Sequence, residues 1–205
     1  MKKYISIIAV LSLFVIGCSE QSSINSPVDN VNTAEPNWIT LPQPDGMQIN
    51  TDLTVCKSIN GAVGGTLETG TSYVATARTS SLASVRVTVK AKIVFSPGAF
   101  VGKKSITMTV SDQNTSVLFG PSMQFSSQVV YNVTYTGLDL TGIDASMIDF
   151  AYLAADGSVQ IAVHNGITVD QLTGTLSVSN AVIPHFSRYG FINKAGQTIF
   201  DPNSF

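Results

Sequence analysis

The sequence predicts an all-β protein, an antiparallel β-sandwich that follows a cleaved signal peptide and a flexible tether. Charged residues make up only 12% of the 205 residues, whereas a typical soluble domain has about a quarter. Short stretches of alternating apolar and polar residues follow one another, with Gly, Pro, Asn and Asp between them. The 44% hydrophobic content is enough to fill one core, so a single globular domain is expected.

The clearest predicted strand covers residues 85–93, where three valines, Ala91 and Ile93 alternate with arginine, threonine and lysine. This period of two places the apolar side chains on one face of a half-buried strand. Many short strands separated by turns are typical of a sandwich or a barrel. The same alternation recurs at residues 106–110, 131–135, 159–163 and 175–178, and the turn signals between strands are Ser96-Pro97-Gly98, Thr136-Gly137, Asp156-Gly157 and Asn165-Gly166.

The first eighteen residues resemble the signal peptide of a bacterial lipoprotein. A dibasic start precedes an apolar stretch at residues 4–16, which is shorter than the ~20 residues of a membrane-spanning helix. The ending Val15-Ile16-Gly17-Cys18 is similar to the lipobox, which directs diacylglyceryl modification of its cysteine and cleavage before it. We therefore expect residues 1–17 to be removed and Cys18 to carry the lipid, with palmitate among its acyl chains. The alternative is an ordinary signal peptide whose cysteine has no role.

Lipidation of Cys18 would anchor the protein at the cell envelope without spanning a membrane. One acyl chain binds a bilayer only marginally, at about 0.8 kcal/mol per buried methylene, whereas two or three chains on one residue form a stable anchor. Ser19 occupies the position where enterobacterial lipoproteins retained at the inner membrane have Asp. By that analogy we expect the outer membrane, on its periplasmic or surface face.

Residues 18–50 are expected to form the lipidated, disordered tether, and residues 51–205 the single β-sandwich domain. The tether is rich in Ser, Asn, Pro and Gln and has no sustained periodicity. If flexible, it would have a root-mean-square reach of roughly 30 Å. It contains the only tryptophan, Trp38, which is either an exposed ligand platform or, with Leu41, part of an edge strand docked on the domain. A lone aromatic residue in a polar segment favours docking.

The mature chain has few residues that could hold a metal. Once Cys18 is lipidated, the remaining nitrogen and sulfur ligands are His164, His185 and Cys56, which argues against structural zinc. No metal or cofactor is therefore expected. Asp139, Asp144 and Asp149 recur every five residues, unlike the ligands of a calcium loop, and we expect them to form turns instead.

The charge and the motif content argue against most enzyme classes and against nucleic acid as a partner. Without Lys2 and Lys3 the mature chain has 9 basic and 13 acidic residues, with no basic cluster to neutralise phosphates. Glu68 is the only glutamate of the predicted domain, and no nucleophile elbow, phosphate-binding loop or dinucleotide fingerprint appears. The expected partners are a membrane, through the lipid, and an envelope protein or glycan.

Four motifs resemble the ZU-five domain, which is shared by ankyrins, netrin receptors and zona occludens proteins. They occur in the family's order across residues 55–192. The resemblance implies a β-sandwich that serves as an interaction domain. The long stretch 69–94 departs from the family and suggests an extra hairpin. The motifs are SINGAVGGTLE at 58–68, FSPGAFVGKKSITM at 95–108, FGPSMQF at 119–125 and HFSRYGF at 185–191.

The last of these motifs contains the candidate catalytic residues His185, Phe186 and Ser187. In family members attached to death domains or inflammasome sensors, a Phe-Ser bond at this position cleaves itself. Carried over, Ser187 Oγ would attack the Phe186 carbonyl, the amide would become an ester, and water would release the tail, with His185 as base. Many relatives keep the motif without cleaving, which favours a structural role: Phe186 in the core, and His185 and Ser187 hydrogen-bonded at the outer face of the strand.

The anchor, the tether and the missing catalytic set predict a non-enzymatic binding, adhesion or scaffold module of the cell envelope. One alternative is the self-cleaving domain, and another is a carbohydrate-binding module that stacks sugars on exposed rings. Tyr131 and Tyr135 share a strand face with Val133, which favours a place in the core over a sugar platform. The candidate rings are Trp38, Tyr73, Tyr131, Tyr135, Tyr152 and Tyr189.

Overall fold

The computed structural model describes residues 35–44, 52–76 and 84–200, and these form two β-sheets packed face to face. All strand pairs are antiparallel except the pair that includes the last strand. The predicted β-sandwich is therefore confirmed. The predicted signal peptide (1–17), Cys18 and the tether residues 19–34 and 45–50 lie outside the described residues.

The described part of the chain is built from strands, with a single short 3-10 turn at Ala145–Met147. Seven strands form one sheet, in the order β1-β4-β5-β11-β7-β8-β12, and five form the other, in the order β2-β3-β6-β10-β9. The strands are β1 Leu53–Asn60, β2 Gly65–Thr76, β3 Ser84–Phe95, β4 Lys103–Val110, β5 Val117–Gly120, β6 Val129–Thr136, β7 Ile148–Leu153, β8 Val159–Ile161, β9 Gly166–Asp170, β10 Thr175–Val182, β11 Arg188–Asn193 and β12 Ile199–Phe200.

The strand directions bring five connections to one end of the sandwich, which we call the apical end. β1 pairs with β4 so that Asn60 lies opposite Lys103, and β2 pairs with β3 so that Gly65 lies opposite Phe95. The connections after β1, β3, β5, β7 and β10 therefore lie together. These apical loops are residues 61–64, 96–102, 121–128, 154–158 and 183–187.

The core lies between the two sheets and follows the alternation seen in the sequence. β6 alternates strictly between buried and half-buried residues, and β3 buries Val87, Val89, Ala91 and Ile93 almost completely. Large rings fill the centre, where Phe150 contacts Phe191 at 5.1 Å between ring centroids and Phe119 contacts Tyr131 at 5.2 Å. The predicted strands at 85–93, 106–110, 131–135 and 175–178 are confirmed as parts of β3, β4, β6 and β10.

Two stretches differ from the sequence expectation. The hairpin suggested for residues 69–94 is present as an antiparallel pair, but its two arms are continuations of β2 and β3 and not additional strands. The predicted strand 159–163 ends at Ile161, since Val163 is exposed where the chain leaves β8 to cross to the other sheet.

The N-terminal segment, residues 35–44, belongs to the folded unit, so the predicted domain boundary at residue 51 lies too far along the chain. Trp38, Ile39 and Leu41 are 6%, 5% and 3% exposed. The segment continues the line of β5: Ile39 N–H donates to the Phe191 carbonyl and Leu41 N–H to the Gln113 carbonyl, both at 2.9 Å. Docking of Trp38 and Leu41 on the domain is thereby confirmed, and Trp38 is no exposed platform.

Candidate functional site

The His185-Phe186-Ser187 motif forms the apical connection between β10 and β11. Phe186 is buried and stacks on Phe119 at 5.3 Å between ring centroids, with Phe125 at 4.9 Å in an edge contact. The predicted place of Phe186 in the core is confirmed. Its ring joins the aromatic cluster under the apical loops, which explains why a large apolar residue is needed here.

Hydrogen bonds hold the backbone of the motif on both sides of the Phe186–Ser187 bond. Phe186 N–H donates to the Met123 carbonyl at 2.8 Å, and Phe119 N–H donates to the Ser187 carbonyl at 3.2 Å. The Tyr189 hydroxyl donates to the His185 carbonyl at 2.7 Å. Burial raises the pKa of Tyr189, so its phenol stays protonated and keeps this bond across the ordinary pH range.

The side chains of the motif are not arranged as a nucleophile and its base. The Ser187 hydroxyl donates to the Leu153 carbonyl, which cannot take its proton. His185 Nδ1 lies 3.4 Å from the Phe186 carbonyl oxygen, and its ring packs edge-on against Tyr152 at 5.1 Å between ring centroids. An acyl shift requires a base within hydrogen-bond reach of Ser187 Oγ and donors at the developing oxyanion. Among the described contacts, His185 Nδ1 is the one possible donor near the Phe186 carbonyl oxygen, and no base lies at Ser187 Oγ. This arrangement fits a structural role for the connection.

A second polar cluster, which the sequence analysis missed, joins three distant positions. His164 Nε2 lies 3.2 Å from Asp149 Oδ1, and Lys194 Nζ donates to Asp149 Oδ2 at 3.2 Å. All three side chains are partly buried. Asp149 lies on β7, His164 in the β8–β9 connection and Lys194 directly after β11. Because they are far apart in sequence, no local motif could predict the cluster. Among the described residues no serine or cysteine side chain is hydrogen-bonded to these three side chains, and the cluster ties the two connections to β7.

The three regularly spaced aspartates do not converge on one site in the described part of the chain. Asp139 Oδ1 accepts from Thr141 N–H at 3.1 Å and Asp144 Oδ1 from Ser146 N–H at 2.9 Å, so both form turns, as predicted. The Ser146 hydrogen bonds lower the pKa of Asp144. Asp149 belongs to the cluster with His164. Within the described ranges no three His, Cys, Asp or Glu residues are placed to hold a metal ion.

The aromatic rings proposed for sugar stacking do not form a surface platform. Tyr131, Tyr135 and Tyr189 are completely buried, and Trp38 is buried in a cluster that includes Ala151 and Ile192. The remaining two rings lie on different sheets: Tyr73 on β2, where its hydroxyl donates to the Pro42 carbonyl, and Tyr152 on β7. Burial raises the pKa of Tyr73 to about 12, consistent with a neutral donor. Stacking on a sugar needs two or three coplanar exposed rings, and these six do not supply them.

A groove of about 530 Å³ lies on the outer face of the five-stranded sheet. We call it the cationic groove. Gly70 forms the floor of the groove, because it has no side chain to fill the space beside Lys90, which lies opposite, and Lys92, in the next row. Strand register aligns Gly70, Lys90 and Thr134 in one row and Glu68, Lys92 and Asn132 in the next.

The charge of the cationic groove is positive. Lys92 Nζ lies 3.8 Å from Glu68 Oε2, a solvent-exposed pair, whereas no described carboxylate lies within ion-pair distance of Lys90. Arg86 extends the same outward row of β3. The groove is also lined by the amide of Asn132 and the hydroxyl of Thr134. The groove could not be predicted from the sequence, because it exists only once three strands are in register.

No protein family, no curated protein and no solved structure matches the chain. The ZU-five resemblance therefore stays a prediction. Within the described residues, no helix has the length and apolar character needed to cross a membrane.

Proposed function

We propose that the chain is a lipid-anchored, non-enzymatic binding module of the cell envelope, and that it binds an acidic glycan in the cationic groove. The observation that carries the proposal is Lys90, which has no carboxylate within ion-pair distance among the described residues and lies beside the open floor at Gly70. A net acidic chain that gathers three of its cations on one strand presents a local positive field to an anionic ligand. The lipobox-like ending at Cys18 supports the anchor, and the ZU-five resemblance is compatible with an interaction domain.

A glycan fits the groove better than a protein surface does. The centres of protein interfaces are enriched in aromatic residues that fill pockets. The groove offers lysines, an amide and a hydroxyl, with Ser177 opposite Thr134 extending the polar row on β10. Such groups donate hydrogen bonds to hydroxyl and carboxylate oxygens, and lysine adds a charge-assisted bond.

Replacing Lys90 with Gln is expected to weaken binding of oligogalacturonate, an acidic probe, by about tenfold to a hundredfold, because one charge-assisted hydrogen bond is lost. Isothermal titration calorimetry at low salt measures this change. Lys104→Gln, which removes the same charge from an exposed position at the start of β4 in the other sheet, is the matched control and should bind as the wild type does. Equal weakening by both variants would reduce the effect to bulk charge, and binding of neutral dextran by the wild type would contradict selection for acidic ligands.

The mature protein is expected to begin at Cys18, to carry acyl chains there and to keep its Phe186–Ser187 bond. Intact-mass spectrometry under denaturing conditions tests all three points on one sample. A Cys18→Ser variant should lose the acyl mass and retain residues 1–17. A wild-type chain without acyl groups, or one in which a disulfide bond joins Cys18 to Cys56, would contradict the lipid anchor.

The same spectrum tests the self-cleaving alternative. A species that ends at Phe186, accompanied by the peptide Ser187–Phe205, would replace the binding proposal with self-processing. In that case Ser187→Ala should restore the single uncut mass.

A further inference from the structure

The apical end carries two exposed apolar side chains on interlocked loops. Val63 is 71% and Val101 89% exposed. Gly61 N–H donates to the Gly102 carbonyl at 2.9 Å, and Gly98 N–H donates to the Gly61 carbonyl at 2.7 Å. The first and second apical loops therefore hold each other in place. We call Val63, Val101, Lys103 and Lys104 the apical tip.

The exposure of these valines is built into the loops. A side chain at Gly61 would place its Cβ 1.9 Å from the Phe100 carbonyl oxygen, so only glycine allows the two loops to approach this closely. Ala99 and Phe100 are buried directly before Val101, with Phe100 against Phe95 at 5.8 Å between ring centroids. The buried pair fixes the loop and leaves Val101 pointing into solvent.

The charge at the apical tip has one sign. Lys103 and Lys104 begin β4 and are exposed, and no described carboxylate lies within ion-pair distance of either. The five apical loops contain a single carboxylate among their residues, Asp156, and it belongs to the β7–β8 loop, near the opposite edge of the seven-stranded sheet. Asp156 is engaged by Ser158 N–H at 2.9 Å.

We propose that the apical tip docks on an anionic lipid surface, with Val63 and Val101 entering the interface and Lys103 and Lys104 at the headgroups. Exposed apolar side chains backed by lysines, with no acid beside them, match the chemistry of a negatively charged bilayer. Each lysine near such a surface contributes about fivefold to binding, so the pair contributes about thirtyfold. An interaction this weak needs the chain to be held at the membrane already.

The docking therefore rests on the proposed lipid anchor, whose position permits it. Even fully extended, the chain from Cys18 to Glu35 spans at most about 60 Å, so the domain stays near the bilayer. Tethering raises the local concentration of the tip into the millimolar range, which is sufficient for a weak contact. Docking by this end leaves the outer faces of both sheets, including the cationic groove, open to solvent.

The test places tryptophan at the tip and measures its depth in the bilayer. The full mature chain is held on vesicles by an N-terminal histidine tag and nickel-chelating lipid, so the result does not depend on natural acylation. Val101→Trp is compared with Leu172→Trp, which introduces the same ring at a position 95% exposed in the β9–β10 turn, outside the apical loops. Quenching by brominated acyl chains is read in vesicles of phosphatidylcholine with phosphatidylglycerol, and in phosphatidylcholine alone.

We expect quenching of the Val101→Trp signal to be several times that of Leu172→Trp, and only where phosphatidylglycerol is present. Adding Lys103→Gln and Lys104→Gln should remove most of it, whereas Lys90→Gln with Lys92→Gln, which removes the same charge from the cationic groove, should not. Equal quenching at positions 101 and 172, no quenching at either, or a loss caused by the groove pair would each overturn the proposal. Acylation of Cys18 is settled separately by intact mass, so failure of the anchor and failure of tip docking remain distinguishable.

Discussion

A chain shortened to Thr51–Phe205 is expected to lose most of its folded population, because it lacks the N-terminal segment. Burial of Trp38, Ile39 and Leu41 contributes about 1.5–3 kcal/mol for each side chain. The sum is comparable with the whole stability of a typical domain, about 5–15 kcal/mol. The shortened chain also loses the hydrogen bonds that the segment makes to Phe191 and Gln113.

Urea unfolding followed by far-ultraviolet circular dichroism measures this effect. A fragment that begins at Val31, where the compact unit begins, should unfold cooperatively, whereas the fragment from Thr51 should show no folded baseline or a much lower midpoint. Equal midpoints for the two fragments would mean that the segment packs on the sandwich without stabilising it.

A single substitution isolates the main contact. Trp38→Ala in the mature chain is expected to cost about 3–5 kcal/mol, by the range for large aromatic residues. For a domain of this size that corresponds to a fall in Tm of roughly 6–20 °C. Leu172→Ala is the control, because its side chain is almost fully exposed and its removal should leave Tm nearly unchanged.

The N-terminal segment also shows where sequence reasoning ends. β3 was recognisable because nine consecutive residues alternate, and its inward side chains meet a core from one side only. In the segment, Asn37, Ile39 and Leu41 make backbone hydrogen bonds to two different stretches, β11 and residues 113–115. The segment is extended because it hydrogen-bonds to residues more than 70 positions away. The local pattern of apolar and polar residues cannot predict such bonds.

The candidate sites divide in the same way. Burial of Phe186 could be predicted, since an aromatic residue at the start of a strand usually enters the core. The bond from Ser187 to the Leu153 carbonyl spans 34 residues and depends on how β7 ends beside β11. The cationic groove depends on register: a shift of one residue between β2 and β3 would move Gly70 away from Lys90 and close its floor.

Phe186→Ala is expected to be the most damaging substitution in the His185-Phe186-Ser187 motif, at about 3–5 kcal/mol of unfolding free energy. Its ring contacts Phe119, Phe125 and Phe95, so truncation leaves a cavity lined by three aromatic side chains. Phe186→Leu, which keeps most of the volume, should cost clearly less. Both values come from urea unfolding of the mature chain, with the wild type measured alongside.

Ser187→Ala separates the structural role of the motif from the catalytic one. Loss of its hydrogen bond leaves the Leu153 carbonyl without that donor and should cost about 1 kcal/mol, well below the cost of Phe186→Ala. A self-cleaving site predicts a different result: the wild type would be cut after Phe186, and Ser187→Ala would leave the chain uncut. We expect the chain to be uncut in every variant, and Phe186→Ala to lower the free energy of unfolding more than Ser187→Ala does. That result would mean that Phe186 fills the core, while His185 and Ser187 hold the start of β11 in place.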